Sequence, residues 1–311
     1  MTLHAPLGRL DAARELRGFQ TEPAQMRAAA AGKVGELRLG FSLKDGRSIL
    51  SDLYRVTPLL VQRALYWDEA MPELPICTII SVGGGILQGD RYRIDIRVEE
   101  GACAHVTSQS ANRIHQMDAN YASQHQSVRV ESGAYLEYLP DFTIAYRDSR
   151  FINQSDIVVA EDATLLYGEM LLAGRKHHHP QERFGLDLLS VAVAVRRPGG
   201  RKVFTEKILI EKGDASIDDA AVMGGFDAFA NIMCLTPPEV ATRIKERFET
   251  HFPQAPRRAA AGVSRLPNDA GLMLRAVGTE TYDVREQVRR FWRIVREEAR
   301  GRTLPEAFLW G

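Results

Sequence analysis

The chain has 311 residues, of which 40 are Lys or Arg and 40 are Asp or Glu, so its formal net charge is zero. Proteins that bind nucleic acids or anionic membranes through their overall charge carry a surplus of basic residues, and this balance argues against both classes of partner. With 45% hydrophobic and 26% charged residues, the composition is that of a folded globular protein.

The N-terminal region, residues 1–32, mixes Ala, Arg and Gln without a strand-like alternation, and we predict a flexible arm there. Charged residues interrupt its apolar positions, so it lacks the continuous apolar stretch of a signal peptide. Cys77, Cys103 and Cys234 are too few and too scattered for a disulfide framework, which predicts reduced thiols. These features predict a cytoplasmic protein.

Strand patterns begin at Leu37. Leu37, Leu39, Phe41 and Leu43 alternate with polar or small residues, which predicts a half-buried strand. Asp45-Gly46 supplies turn residues that tolerate positive φ, and 49–55 is predicted to return as the second strand of a hairpin.

The glycine-rich segment 81–90, SVGGGILQGD, invites comparison with nucleotide-binding loops. Its glycines are spaced GxGxxxG, one residue too long for the dinucleotide fingerprint, and no Lys-Ser or Lys-Thr follows as in a phosphate-binding loop. A strand pattern, Tyr92 to Val98, follows where a helix would be needed. The segment therefore predicts a tight bend between two strands.

A weak repeat organises the centre of the chain. VEEGACAHV from Val98, VESGAYLEY from Val130 and VAEDATLLY from Val159 can be superposed as strand, turn and strand, with Asp162 where the others have glycine. We expect a left-handed turn residue at Asp162 too, because Asp tolerates that conformation. A repeat near 30 residues indicates stacked units and predicts a layered or β-helix-like (solenoid-like) β body; a coincidence of common hairpin turns is the alternative.

Acidic residues recur at predicted strand ends in this region: Asp90, Asp141, Asp148 and Glu169. Two facing carboxylates could form a hydrolytic acid–base pair or a weak site for a divalent metal. They could equally bond backbone amides in turns or pair with Arg147, Arg150 or Arg175.

A histidine tract, His177-His178-His179, follows Gly174-Arg175. Imidazole is a good ligand for Ni²⁺, Cu²⁺ or Zn²⁺, but from a regular strand only His177 and His179 could converge on one ion. The flanking glycine and proline indicate an exposed loop, so we interpret any metal affinity of His177 and His179 as adventitious.

A hairpin is predicted next, from Val191 to Ile210 across Pro198-Gly199-Gly200, and two helices follow. One begins at Thr236 with a Thr-x-x-Glu capping box, and a longer one begins at Asp283 and ends near Gly301. The longer helix carries six arginines, for which we weigh a solvated face against a docking surface for an acidic partner: Arg285, Arg289, Arg290, Arg293, Arg296 and Arg300.

Taken together, the motifs resemble the UreD (UreH) family of urease accessory proteins. The segments that carry the resemblance are VTPLLVQRALYWDE (56–69), SVGGGILQGDRYRIDIRVEEGACAHVTSQSANRIHQM (81–117), GAYLEYLPDFTIAYRDSRF (133–151), YGEMLLAGR (167–175), GVSRLPNDAGLMLRAVG (262–278) and WRIVR (292–296). The sequence departs from the family pattern after Arg175, where the family commonly has Gly-Glu before an aromatic residue. Here HHHPQERFG keeps Glu182 and Phe184 without the glycine.

The resemblance implies a non-catalytic scaffold, or metallochaperone, that binds apo-urease and the helical partner UreF, and through UreF the GTPase UreG. It also implies Ni²⁺ as a cargo in transit, with no permanently bound cofactor. Carboxylates release Ni²⁺ more readily than several imidazoles or thiolates would. We therefore expect Asp141 and Glu169, and more weakly Asp90 and Asp148, to line a polar path for Ni²⁺.

The predicted organisation is a flexible arm over 1–32 and one UreD-like domain over 33–311. This domain is mainly β, with a β body over about 33–215 and a helix-containing part over about 216–311. Two alternatives in function stay open: a β-solenoid carbohydrate-active enzyme with paired carboxylates, and an adaptor that makes no contact with metal.

Overall fold

The computed structural model describes residues 10, 12–20, 33–213, 215–220, 222–253 and 259–306, and within these ranges most of the regular structure is β. In chain order the strands are β1 (Val34–Lys44), β2 (Arg47–Val56), β3 (Leu59–Leu60), β4 (Ile76–Ser81), β5 (Arg91–Val98), β6 (Cys103–Ser108), β7 (Asn112–Ile114), β8 (Ala122–Val130), β9 (Tyr135–Tyr138), β10 (Thr143–Ala145), β11 (Arg150–Val159), β12 (Thr164–Leu172), β13 (Leu188–Arg196), β14 (Lys202–Glu211), β15 (Ala228–Leu235), β16 (Ala259–Arg265) and β17 (Gly271–Gly278). The helices are α1 (Pro238–Arg247) and α2 (Thr281–Arg300).

The strands form two sheets. The first has the order β14-β13-β11-β8-β5-β1-β2, and the second has the order β16-β17-β15-β12-β9-β6-β4-β3, with β10 beside β12 and β7 beside β10. From β5 to β13 the chain alternates between the sheets, and neighbouring strands from successive passes are parallel. A mainly β fold with two α-helices in the described ranges is thereby confirmed; α1 lies between β15 and β16, and α2 follows β17. The β-helix-like (solenoid-like) arrangement stays a prediction.

The first hairpin has the predicted position and turn. Asp45 and Gly46 have φ of 50° and 77°, the positive values that a two-residue hairpin turn requires. Leu37, Leu39 and Phe41 are buried, whereas Leu43, which was predicted on the same buried face, is 51% exposed. The difference has a simple cause: Leu43 lies at the end of β1 beside the turn, past the edge of the core.

The repeat corresponds to strands that lie side by side. Val98 pairs with Val130, and Val130 pairs with Val159, so the three segments are in register across β5, β8 and β11. Gly101 and Gly133 have φ of 68° and 63°, as predicted.

The expectation of a left-handed residue at Asp162 is wrong, because Asp162 is not among the positions with positive φ. Its carboxylate instead accepts a hydrogen bond of 2.6 Å from Ser132 Oγ of the preceding turn. The side chain thus links two successive turns, and the backbone needs no left-handed conformation there.

The glycine-rich segment connects β4 to β5 as a bend, in agreement with the prediction. Gly85 has φ of 144°, and a Cβ atom there would lie 2.6 Å from the carbonyl oxygen of Arg113. Such a distance is too short for any side chain, so the close approach of two backbones requires glycine at this position.

The two helices cover the outer face of the second sheet. Val284, Val288 and Phe291 of α2 are fully buried against strands of that sheet and against Ile244 of α1. The helix ends at Gly301, whose φ of 62° and N–H bond to the Glu297 carbonyl form the predicted C-terminal cap.

Two predicted helix starts differ from the structure. The capping box at Thr236 is not formed, because the Thr236 hydroxyl hydrogen-bonds Thr164 Oγ1 at 2.8 Å and Pro237 occupies the N-cap position. The second helix begins two residues before Asp283, which is buried in its first turn.

The arginines of α2 do not form one surface. Arg293 is exposed, but Arg296 is fully buried, so the hypotheses of a solvated face and of a docking surface are both wrong for Arg296. Glu297 and Glu298 of α2 form ion pairs with α1, where Arg247 binds both glutamates and Arg243 binds Glu298.

Part of the predicted N-terminal arm lies within the described residues. Leu10 and Leu16 are buried against Tyr121, Ile152 and Leu188 on the outer side of the first sheet. The division into an arm and a single domain stays a prediction. In the described part of the chain, neither helix has the length and apolar character that crossing a bilayer requires.

Candidate functional site

A cavity of ≈ 450 Å³ lies between the two sheets. Its walls come from β5, β8 and β11 of the first sheet and from β9 and β12 of the second, and segments 84–85 and 108–113 form part of its rim. Among the described residues that line it, three are charged: Arg113, Asp141 and Glu169. Asp141 and Glu169, the two acidic residues most strongly expected on the predicted path for Ni²⁺, therefore both line the cavity.

Glu169 lies on β12 and contacts neutral polar groups. Its Oε1 accepts hydrogen bonds from Tyr167 OH at 2.9 Å and from Asn153 Nδ2 at 3.4 Å. Burial raises the pKa of Glu169 to about 7, the Tyr167 bond opposes this shift, and the nearby Glu206 charge adds to it. Near neutral pH the carboxyl is thus present both with and without its proton.

A network of neutral side chains extends from Glu169 between the sheets. Tyr167 OH bonds Ser155 Oγ at 2.7 Å, and Gln126 Nε2 donates to Ser155 Oγ at 3.0 Å and to Asn153 Oδ1 at 3.1 Å. Tyr138 OH donates to Gln126 Oε1. Oxygen atoms of amides, hydroxyls and a carboxyl therefore share one interior space, and weak, exchangeable binding of a divalent cation needs this type of ligand.

Sequence reasoning missed this network, although a signal was present. Asn153 and Ser155 occupy inward-facing positions of β11, between Phe151 and Ile157, where a purely structural core strand would carry apolar residues. Gln126 is likewise a polar residue at a buried position of β8. Polar residues at inward positions of neighbouring strands therefore mark a polar interior.

Asp141 lies in the loop after β9 and already has a basic partner. Arg285 Nη2, from α2, donates to Oδ1 at 2.6 Å and to Oδ2 at 2.7 Å. The N–H of Phe142 also donates to Oδ1 at 2.8 Å. Asp141 pairs with an arginine, as the structural alternative allows, but with one from a distant helix.

Asp90 and Asp148 do not line the cavity. Asp90 is 3% exposed, and its carboxylate accepts from the N–H groups of Lys33 and Leu87 and from Tyr92 OH at 2.8–3.0 Å. Asp148 lies on the surface, where it accepts a bond of 2.7 Å from Lys212 Nζ. Both carboxylates therefore have structural contacts in turns and ion pairs.

The histidine tract also lies apart from the cavity. The side chain of His177 is 79% exposed, with Nε2 at 3.7 Å from Glu280 Oε2, and His179 Nδ1 accepts the N–H of Gln181. Nowhere in the described ranges are three or more His, Cys, Asp or Glu residues grouped as they would be to hold a metal ion.

A buried ion cluster joins α2 to the second sheet. Arg296 donates from Nε and Nη2 to the two oxygens of Glu137, at 2.8 and 2.7 Å, and from Nη1 to Asp68 Oδ2. Trp292 Nε1 and His105 Nδ1 also bond Glu137, at 2.7 and 2.8 Å.

The protonation states in this cluster follow from its contacts. Burial alone would raise the pKa of Glu137, but the Arg296 guanidinium and the hydrogen bonds hold that pKa well below its usual range. Burial lowers the pKa of His105, so the neutral imidazole donates its Nδ1–H to the carboxylate. The cluster is a structural contact between helix and sheet, in which Arg296 and Glu137 are joined by two hydrogen bonds.

Comparisons with known proteins agree with the resemblance seen in the motifs. The family model described as UreD urease accessory protein matches residues 33–311. The chain is 76% identical over 310 residues to urease accessory protein UreD 2 of Methylorubrum extorquens (strain PA1), covering 100% of both chains. It is 51% identical over 298 residues to urease accessory protein UreD of Yersinia pseudotuberculosis serotype O:1b (strain IP 31758), covering 96% of this chain and 92% of the relative.

Proposed function

Because the chain belongs to the UreD family of urease accessory proteins, we propose that it is a non-catalytic scaffold for the maturation of urease in the cytoplasm. In this role it binds apo-urease and UreF, and through UreF the GTPase UreG. The support is the family itself, because relatives named as urease accessory proteins match nearly the whole of this chain.

We propose further that Ni²⁺ passes through the cavity between the sheets. The observation that carries this proposal is that Asp141 and Glu169, from separate parts of the chain, line one interior space with the amides of Gln126 and Asn153. Oxygen ligands suit a cation that must enter and leave, whereas imidazole and thiolate ligands would hold Ni²⁺ more strongly.

The test replaces Asp141 and Glu169 by Ala, singly and together, and measures nickel incorporation into co-expressed urease. We expect a partial loss in each single variant and a severe loss in the double variant, because each substitution removes an oxygen ligand from the path. Asp148→Ala is the matched control, since it removes a carboxylate outside the cavity. Normal nickel incorporation by the double variant, in a complex of normal composition, would contradict transit through this cavity.

An adaptor without metal contact is the second candidate. It is favoured by one observation, namely that both oxygens of Asp141 are already engaged by Arg285. Calorimetric titration of Ni²⁺ into the protein alone and into its UreF complex distinguishes an adaptor from a path for Ni²⁺. An adaptor should show no specific binding of Ni²⁺ in either state.

The partner assignment has its own test, a pull-down of UreF and of the apo-urease subunits by the full chain. We expect both to be retained. Failure to retain either would count against the proposed scaffold role, whatever the outcome of the nickel measurements.

A further inference from the structure

Arg285 contacts the lining of the cavity through Asp141. It reaches Asp141 from near the N-terminal end of α2, and one nitrogen, Nη2, bonds both carboxylate oxygens. The guanidinium carbon also lies 5.6 Å from the ring centroid of Phe142. The side chain of Asp141 is 11% exposed and that of Arg285 is 33% exposed, so the basic member of the pair is the one nearer to solvent.

This ion pair changes what the cavity offers to a cation. A carboxylate whose two oxygens accept from a guanidinium is already compensated, and a divalent ion that approaches it meets a fixed positive charge within a few ångströms. Of the two acidic residues that line the cavity, Asp141 has this basic partner, whereas Glu169 accepts hydrogen bonds from the neutral side chains of Tyr167 and Asn153. The two carboxylates are therefore not equivalent toward a cation.

The position of the guanidinium depends on its contact with Asp141. Its Nε is buried and, within the part of the chain that the structure describes, has no hydrogen-bond partner. The contact with Asp141 is therefore its principal polar anchor. Because the side chain is partly exposed, it can swing toward water without a change in α2 itself.

We propose that Arg285 controls access to the cavity by occupying Asp141, so that a divalent cation reaches this carboxylate only after the guanidinium has moved away. This inference rests on the proposed function, passage of Ni²⁺ through the cavity, and adds the residue that regulates it. Arg285 is a positioning residue here, since it acts through Asp141 and does not itself bind the cation.

The test is calorimetric titration of NiCl₂ into the full chain, alone and in complex with UreF. Arg285→Gln should tighten Ni²⁺ binding at least about tenfold, because the competing charge is removed and Asp141 becomes available. Arg293→Gln removes the same charge from an exposed position of the same helix, and should leave the affinity within about twofold. Adding Asp141→Asn to Arg285→Gln should abolish the gain.

The outcomes distinguish the proposed role of Arg285, the regulator, from the proposed passage of Ni²⁺ through the cavity, the route. Wild-type affinity in Arg285→Gln, together with loss of binding in Glu169→Gln, would overturn the role of Arg285 and leave the cavity as the route. Absence of Ni²⁺ binding in every variant would overturn the route and the regulator together. If Arg285→Gln does not fold, Arg285→Met serves in its place, because methionine keeps an unbranched side chain and removes the charge that competes for Asp141. It should bind Ni²⁺ more tightly than wild type, and an unchanged affinity would overturn the proposal.

Discussion

Arg296 carries a positive charge into a region with no access to water, where Asp68 and Glu137 compensate it. Removing one member of such a cluster leaves the others charged and buried. We therefore expect Arg296→Met to lower the free energy of unfolding by about 3–5 kcal/mol, measured by urea denaturation.

Arg293→Met provides the comparison, since it makes the same substitution one turn of the helix away at an exposed residue. It should change the free energy of unfolding by less than about 0.5 kcal/mol. Equal effects of the two substitutions would mean that the buried cluster contributes nothing particular to stability.

Glu169 makes stability depend on pH in an unusual direction. Because its pKa is about 7 in the folded protein and about 4.5 in the unfolded chain, the folded state binds the extra proton. The associated stability is fully present below about pH 4.5 and is lost as the pH rises through 7. As the pH rises from 5 to 8, the free energy of unfolding of Glu169→Gln should therefore increase relative to that of wild type by roughly 1–3 kcal/mol. Urea denaturation across this range measures the difference, and parallel pH profiles would contradict it.

The residues of the site differ in how far the sequence could reveal them. Asp141 and Glu169 could be proposed from their positions at predicted strand ends, but their shared cavity depends on the stacking of the sheets. The acidic partners of Arg285 and Arg296 could not be predicted, because helical periodicity shows on which face of a helix a residue lies but not which residue it contacts. Both belong to α2, yet Arg285 pairs with the cavity rim and Arg296 with the buried cluster.

At the scale of elements, the bend between β4 and β5 depends on Gly85. An alanine Cβ would meet the Arg113 carbonyl oxygen at 2.6 Å, and the φ of 144° disfavours any side chain. Gly85→Ala should therefore lower the free energy of unfolding by on the order of 2 kcal/mol, as measured by denaturant unfolding.

Gly199→Ala is the matched substitution, in a hairpin turn where no atom lies within 4 Å of the added Cβ. It should have an effect of less than about 0.5 kcal/mol. If the two glycines tolerated alanine equally well, the close backbone approach at Gly85 would not be a constraint on the bend.

Local patterns predicted the strands well where a turn residue and alternation agreed, as at Asp45-Gly46 and in Val98, Val130 and Val159. The predictions failed where a side chain had a tertiary partner that outweighed its local preference. The Thr236 hydroxyl bonds Thr164 and does not cap the helix that follows it. The Asp162 carboxylate bonds Ser132, and its backbone is not left-handed. Such partners become visible only once the strands are stacked.

At the scale of the whole molecule, two apolar cores share the second sheet. One lies between the sheets and includes Leu165 and Met233, and the other lies under the helices and includes Leu166 and Ile232. Since neighbouring residues of β12 and β15 face opposite cores, neither core can unfold without disturbing the strands of the other. We expect a single calorimetric unfolding transition, in line with the predicted single domain. Two resolved transitions would contradict it.

The zero net charge of the chain conceals a strongly local distribution of charge. Charged side chains on the surface form ion pairs, as at Arg201–Glu161, while the interior holds a compensated cluster around Arg296. The cavity is lined by Glu169, whose carboxyl accepts hydrogen bonds from the neutral side chains of Tyr167 and Asn153. Composition could exclude partners that need a basic surface, but it could not reveal this arrangement.

The contact between Asp68 and Arg296 spans 228 positions of the chain. During synthesis Asp68 and Glu137 leave the ribosome long before α2. The guanidinium of Arg296, which compensates their charge, therefore becomes available only once α2 has been made. Until then both carboxylates lack the guanidinium that compensates their charge, and burying them as anions without it is unfavourable. The order in which the ribosome delivers the chain thus makes the last helix the step that completes the interior.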